Sequence, residues 1–504
     1  MFLPSCSLSL LKKHYFCRQQ KQVMDKLKEK TEKGMFWSAI NNGASQILNL
    51  IIGIFLARLL SPGDYGLVGV LTIFTMMANN IQQCGFFQGL INLKSPQPND
   101  YNSVFWFNVL TGLLLYAILW FCAPLIAAYF RQEALVELSR FIFLVFLITA
   151  FGVAPNAYLT KNMKFKESAI CAIVALVSSG LVGIYLAVRG YAYWSLAWQQ
   201  VTFITVQNIL RYHYAKWRPS LHIDFTPVKQ MFGFSVKILV TKSVNTISDN
   251  ILTFIFGRMF SIRDVGNFSQ ANKWNTLASS FVSQTVQQVS QTVLVSANDS
   301  QERERRVFRK MLRFTSFLAF PCMIGLALVA KEFIFITIGE KWAMSVPLLQ
   351  ILCISGAFIA LHGIYQSLII SSGRSDIFMW VNITQIVLQI AVILAFASFG
   401  MITMVIAYVC FTSAWVLVWH FISHKLIHIT LRQMLSDTLP YLGTIVFASA
   451  VAHFATLPLS GNFPLLMSKI VITAAIYIGV MFATKDDIMF ETIGFVKKKF
   501  SHKS

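Results

Sequence analysis

The clearest ionisable residues deep inside expected membrane spans are Lys237, Lys242 and Asp249 in one span and Lys273 in the next. An ionisable side chain at the centre of a bilayer costs about 2.5–3.5 kcal/mol on insertion scales and normally faces a cavity, not lipid. Ammonium groups fixed in such a cavity would replace part of an anion's hydration. Asp249 is the only carboxylate expected well inside an apolar stretch, and there it could titrate or coordinate a cation, which makes it the candidate site for a coupling proton or sodium ion. Plainer readings stand beside these. Lys237 can snorkel to the interface, and Lys242 can pair with Asp249, although two helical turns between them stretch a direct bond.

Neutral polar residues extend the pattern. Thr276, Ser280, Gln284, Gln287 and Gln291 follow Lys273 at intervals of three or four, which places them on one helical face. Asn42, Gln46 and Asn49 repeat that spacing in the first apolar stretch, and Asn245 lies one turn from Lys242. Such faces cannot point at lipid, and amide and hydroxyl side chains are what the hydroxyls of a sugar need. No P-loop, nucleophile–base pair or metal-ligand set accompanies them, so no cofactor is expected beyond a coupling ion.

These residues must be positioned by membrane helices. Of 504 residues 56% are hydrophobic and only 12% charged, a balance that a soluble domain of this size would not carry. Apolar runs near the roughly 20 residues needed to span a bilayer occur at 36–60, 65–90, 103–129, 138–159, 167–188, 190–212, 232–257, 264–296, 312–336, 344–371, 375–398, 400–423, 436–457 and 465–484. The expected fold is an all-α polytopic membrane protein of about fourteen spans. The spans at 36–60, 65–90, 232–257 and 264–296 are expected to line a wet cavity between two halves. The net charge of +21 is a topology signal: about thirty basic residues fall on the side shared by both termini and roughly seven opposite, which places both termini in the cytoplasm. That distribution argues against a nucleic-acid partner and for contact with anionic membrane lipids.

The chain also repeats itself. ARLLSPGDYG, residues 57–66, returns as GRMFSIRDVG, residues 257–266, so that Arg58, Ser61, Asp64 and Gly66 match Arg258, Ser261, Asp264 and Gly266. Asn79, Asn80, Gln83 and Gln88 fall on Ser279, Ser280, Ser283 and Gln288, and Gly190 heads its span as Gly400 does. The expected organisation is a cytoplasmic segment 1–34, an N-lobe of six spans over 35–220, a C-lobe of six over 221–430, and two further spans with a basic tail over 431–504. An even number of spans per lobe makes these parallel repeats, an arrangement suited to alternating access. Arg58 and Arg258 could gate the outward mouth, or pair with Asp64 and Asp264 and staple each hairpin.

LARLLSPGDYG, the polar second span and the span count together resemble the Wzx-type polysaccharide flippases of the multidrug/oligosaccharidyl-lipid/polysaccharide superfamily, over residues 34–484. The resemblance implies that an undecaprenyl-diphosphate-linked oligosaccharide crosses the bacterial inner membrane, to become capsule, O-antigen or exopolysaccharide. Lys237, Lys242 and Lys273 would then meet the diphosphate or sugar, and polysaccharide polymerase machinery would be the downstream partner. A multidrug exporter of the same superfamily is the alternative, though twelve spans and a small cation site would be expected there. A membrane polymerase or ligase is a weaker one, because the longest outward loop, around Lys331 to Lys341, is short.

Other signals read as structural. Cys6, Cys17, Cys84, Cys122, Cys171, Cys322, Cys353 and Cys410 are scattered without a CxxC pair. His420, His424 and His428 share i, i+4, i+8 spacing but lack a completing ligand, so they read as an interfacial polar face. Translation is expected to start at Met24, where MDKLKEKTEKGMFWSAI leads into the first span.

Overall fold

In the computed structural model every regular element among the described residues is helical. The described residues are 34–491 and 494, apart from 35, 39, 84, 85, 222, 297–299 and the side chains at 78, 79, 81–83, 230, 234, 237, 238, 240–242, 244, 245, 248, 249, 285, 287–296 and 375. The helices are α1 (Phe36–Leu59), α2 (Pro62–Gln83), α3 (Phe86–Asn92), α4 (Pro98–Phe130), α5 (Leu135–Ile142), α6 (Leu144–Lys161), α7 (Phe165–Val188), α8 (Trp194–Tyr214) and α9 (Thr226–Met259). They continue as α10 (Ile262–Ser296), α11 (Gln301–Leu328), α12 (Ala330–Thr337), α13 (Ser345–Ser371), α14 (Ser375–Ala395), α15 (Met401–Ile427), α16 (Leu431–Ala455) and α17 (Asn462–Ala483).

Ten helical stretches among the described residues are long and apolar enough to cross a membrane, as a multi-pass membrane protein requires. The remaining expected spans coincide with α2–α3, α8, α9 and α10. These are long helices, and α2, α9 and α10 carry the polar rows singled out above. The connection expected as a loop around Lys331 to Lys341 is instead largely helical, built from α12 and a 3-10 turn at Glu340–Trp342.

Two compact units make up the chain: residues up to Leu60 with 71–247, and 61–70 with 248–504. In the first, α7 lies along α8 and α6 packs on α4 and α8. Its core gathers Phe86, Tyr101, Phe105, Val153 and Met231 around Trp217. The segment entering α9 is fastened to α4: Ser220 N–H donates to Asn102 Oδ1 at 2.9 Å, Trp106 Nε1 to the Ser220 carbonyl at 2.8 Å, and Asn99 Nδ2 to Asp224 Oδ2 at 3.0 Å. In the second unit α10 lies along α13, which also packs on α11 and α15, while α16 packs on α11 and α17.

The repeated hairpin motif has two local consequences. Ser61 N–H and Oγ donate to Asp64 Oδ2 at 2.8 and 2.7 Å, and Ser261 Oγ donates to Asp264 Oδ2 at 2.6 Å. Each carboxylate therefore fixes the turn that starts its helix and sits in the first turn, where the helix dipole favours a negative charge. The second consequence is reciprocal contact. A Cβ on Gly66 would lie 1.9 Å from the Ile262 carbonyl oxygen, and a Cβ on Gly266 would lie 1.7 Å from the Pro62 carbonyl oxygen. The starts of α2 and α10 thus meet backbone to backbone, each glycine seated on the other hairpin. Further matches are conformational: Gly190 and Gly400 both have positive φ (84° and 92°), as do Met163 and Gly373 (54° and 73°).

Two buried carboxylates, each paired with a cation, hold the C-terminal helices in the second unit. Asp437 on α16, with a fully buried side chain, accepts from Arg309 Nε and Nη2 at 2.6 and 3.0 Å and from Arg313 Nε at 2.5 Å, both on α11. Lys469 Nζ on α17 donates to Glu332 Oε1 on α12 at 2.6 Å, with both side chains below 10% exposure.

The glycine contact gives an unusual sign. Gly→Ala within a helix ordinarily gains about 0.5–1 kcal/mol. Gly325→Ala in α11, where nothing lies within 4 Å of the new methyl, should therefore hold or raise the melting temperature in detergent. Gly266→Ala should lower it, because overpacking there costs about 1–3 kcal/mol of stability; equal effects of the two changes would refute the contact. Asp437→Asn should cost about 2 kcal/mol. That is less than the figure for a fully buried pair, because the Arg309 and Arg313 side chains are 29% and 37% exposed; an unchanged melting temperature would contradict the pairing.

Candidate functional site

α10 is two-faced, and the division explains its polar content. Lys273 and Ser280 are half-buried and Thr276 and Gln284 exposed, along the row identified from spacing. Ser280 returns its hydroxyl to the Leu277 carbonyl at 3.1 Å. On the opposite side Ala271, Trp274, Val282 and Val286 are buried, on the helix that lies along α13. The polar row is thus left uncovered by the packing that fixes the helix.

In the first unit, Asn42, Gln46 and Asn49 are all exposed on α1, while Ile52, Leu56 and Ala57 on the same helix are buried. Asn80, one residue of the polar second span, donates from Nδ2 to Thr246 Oγ1 at 2.5 Å. Arg58 and Arg258 end α1 and α9 with exposed side chains, while the carboxylates of Asp64 and Asp264 are held by Ser61 and Ser261 as described above. The side chains of Lys237, Lys242, Asn245, Asp249, Gln287 and Gln291 lie outside the described residues; their backbones are helical, on α9 and α10.

A second polar row on α10 escapes the spacing argument. Asn267, Gln270, Asn275 and Ser279 are all buried. Ser345 Oγ donates to the Asn267 carbonyl at 2.9 Å and to its Oδ1 at 3.1 Å. A Cβ on Gly356 of α13 would fall 2.5 Å from Asn275 Oδ1, so this glycine makes room for the amide. The signal was present in the sequence as polar residues on both sides of the helix. Its reading needed the partner α13, which supplies the hydroxyl and the gap.

Two further carboxylates are buried near the ends of expected spans in the second unit. Glu332 and Asp437 are buried and paired with cations far away in sequence. The histidines differ from their expected common face. His420 is buried on α15 with Nδ1 3.4 Å from the Tyr365 hydroxyl, and His424 Nδ1 lies 2.8 Å from the Ile429 carbonyl. His428 has left the helix in a left-handed C-cap, φ 52°.

The first unit offers exposed amides on α1. The second unit, by itself, offers a half-buried lysine, hydroxyls and an amide on α10, groups able to meet an anionic, hydroxyl-rich solute. Comparison with known proteins gives this chemistry a context. The chain is 26% identical to an uncharacterized membrane protein in the cps region of Klebsiella pneumoniae, over 73% of this chain and 76% of that protein. It is 24% identical to the lipopolysaccharide biosynthesis protein WzxC of Escherichia coli K12, over 71% and 73%. Its fold is that of the lipid II flippase MurJ in an inward closed conformation, with a TM-score of 0.70 at 15% identity over 90% of this chain and 99% of that one. A multidrug resistance MATE family transporter in an inward-facing conformation shares it less closely, with a TM-score of 0.62 at 14% identity over 76% and 94%. The model of the family described as "Polysaccharide biosynthesis protein" matches residues 55–347, from the end of α1 into α13, and the chain belongs to that family.

Proposed function

We propose that the protein is a flippase that carries undecaprenyl-diphosphate-linked oligosaccharide repeat units across the bacterial inner membrane, for assembly into a surface polysaccharide. The family match over residues 55–347 carries this reading. The chemistry of the exposed rows supports it. A diphosphate must cross a hydrocarbon layer of about 30 Å, and Lys273, together with Lys237 and Lys242 on α9, would compensate its charge while the amides of α1 and α10 exchange hydrogen bonds with sugar hydroxyls. In this reading the two repeats alternate access to a shared cavity, both termini are cytoplasmic, and Asp249 takes the coupling proton or sodium ion. Polysaccharide polymerase machinery then receives the translocated unit.

A multidrug exporter remains the second reading because a MATE transporter has a similar fold. Fold alone does not choose between them. The matches to the sequence relatives named above cover about three quarters of those proteins' length, and those proteins belong, by name, to the cps region and to lipopolysaccharide synthesis.

Deleting the gene should leave complete lipid-linked repeat units on the cytoplasmic leaflet and abolish surface polysaccharide. Lys273→Ala should restore polysaccharide at least about tenfold less well than the wild type, since a charge-assisted contact contributes about 1.5–3 kcal/mol. Lys273→Arg should restore most of it. Normal polysaccharide together with raised drug sensitivity in the deletion would favour the exporter instead.

A further inference from the structure

The second unit holds a cleft that plays no part in the proposed transport path. About 540 Å³ of space lies between the first turns of α11 and the segment that follows α17. Arg305, Arg306, Arg309, Lys310 and Arg313 line it from α11, at a spacing that puts them on one helical face. Facing them are Asp487, Ile488, Phe490 and Glu491, with Glu302 at the start of α11. That opposite wall is anchored: Tyr441 on α16 donates to Asp486 Oδ2 at 2.7 Å, and Asp486 Oδ1 accepts from Met489 N–H at 3.1 Å.

The charges do not cancel. Glu491 takes Lys310 at 2.6 Å, and the buried Asp437 carboxylate is shared between Arg309 and Arg313. One carboxylate beneath two guanidinium groups leaves a positive charge in surplus and fixes both groups, whose remaining N–H donors are free to meet an acceptor. Arg305 and Arg306 make no ion pair among the described residues. Of the acidic residues that line the cleft, Glu302 and Asp487 are left to face them, so the lining together with the Asp437 carboxylate that Arg309 and Arg313 share keeps one formal positive charge in excess; Asp486, bonded to Tyr441, is not part of the lining. The wall also carries apolar surface outward. Ile488 is buried, and exposed Phe490 lies 5.4 Å from Phe482, itself exposed on α17, a helix apolar enough to cross a membrane.

We propose that this cleft binds the phosphodiester headgroup of an anionic membrane lipid, whose chains lie against the Phe490–Phe482 strip. A single surplus positive charge matches a phosphodiester monoanion, and basic pockets beside membrane helices are suited to such headgroups. The apolar strip favours a lipid over a soluble phosphate. The cleft shares no lining residue with those assigned to the transported substrate, so lipid binding there does not depend on that assignment.

Native mass spectrometry of the full-length protein in neutral detergent tests this, with phosphatidylglycerol, phosphatidylcholine and inorganic phosphate as probes. Phosphatidylglycerol should be retained in preference to phosphatidylcholine. The double variant Arg305→Gln/Arg306→Gln, which leaves the Asp437 pairing intact, should lose about tenfold of that preference at an unchanged melting temperature. Phe490→Ser should weaken retention while leaving the charges in place. Equal retention of the two lipids by the wild type, full retention by the double variant, or displacement by millimolar inorganic phosphate would each overturn the proposal.

Discussion

Two glycines that have no room for a side chain fix the start of α10, the helix that carries the row of lysine, hydroxyls and amides. Gly66 and Gly266 are each pressed onto the backbone of the other hairpin, and any Cβ there would overlap a carbonyl oxygen. Between membrane helices the hydrophobic effect gives little drive for association, so close packing over small residues takes its place. The Ser–Asp caps that open α2 and α10 set the angle at which the two helices start. The second hairpin then directs α10 along α13, with one side buried and the other row of lysine, hydroxyls and amides left uncovered.

Burying charge is costly, and the second unit does so where two helices must be held. Asp437 receives two forked guanidinium groups, and Glu332 receives Lys469, so neither carboxylate is left without a cation. These pairs join α16 and α17, which have no counterpart among the repeated helices, to α11 and α12. The same pairing that anchors α16 orients two arginines toward the cleft at the end of α11. Stability and the proposed lipid contact therefore share Asp437.

The sequence made the helical class plain because apolar runs of membrane length are long and unambiguous, and it exposed the repeat wherever chemistry left no choice of residue. Gly66 and Gly266 are forced by the backbone approach, and Gly190 and Gly400 by positive φ. Met163 adopts the conformation that Gly373 adopts, and there the equivalence is invisible in residue type. The row through Lys273 could be read from its period because one helix suffices to define a face. The pairs Asp437 with Arg309 and Glu332 with Lys469 could not, since they join residues more than a hundred positions apart and no local spacing encodes them. Lys469, inside an expected span, has no local spacing that assigns it a role, for the same reason: only its buried partner Glu332 distinguishes it.

What unites these features is the idea that the uncovered polar rows serve a phosphate-bearing glycolipid. The most direct test is to reconstitute the purified protein in vesicles with a fluorescent undecaprenyl-diphosphate oligosaccharide in one leaflet, and to follow its appearance in the other with a membrane-impermeant quencher. The account predicts transfer well above protein-free vesicles, falling when Lys273 is replaced by alanine. Transfer no faster than in protein-free vesicles, with well-folded protein present, would contradict it.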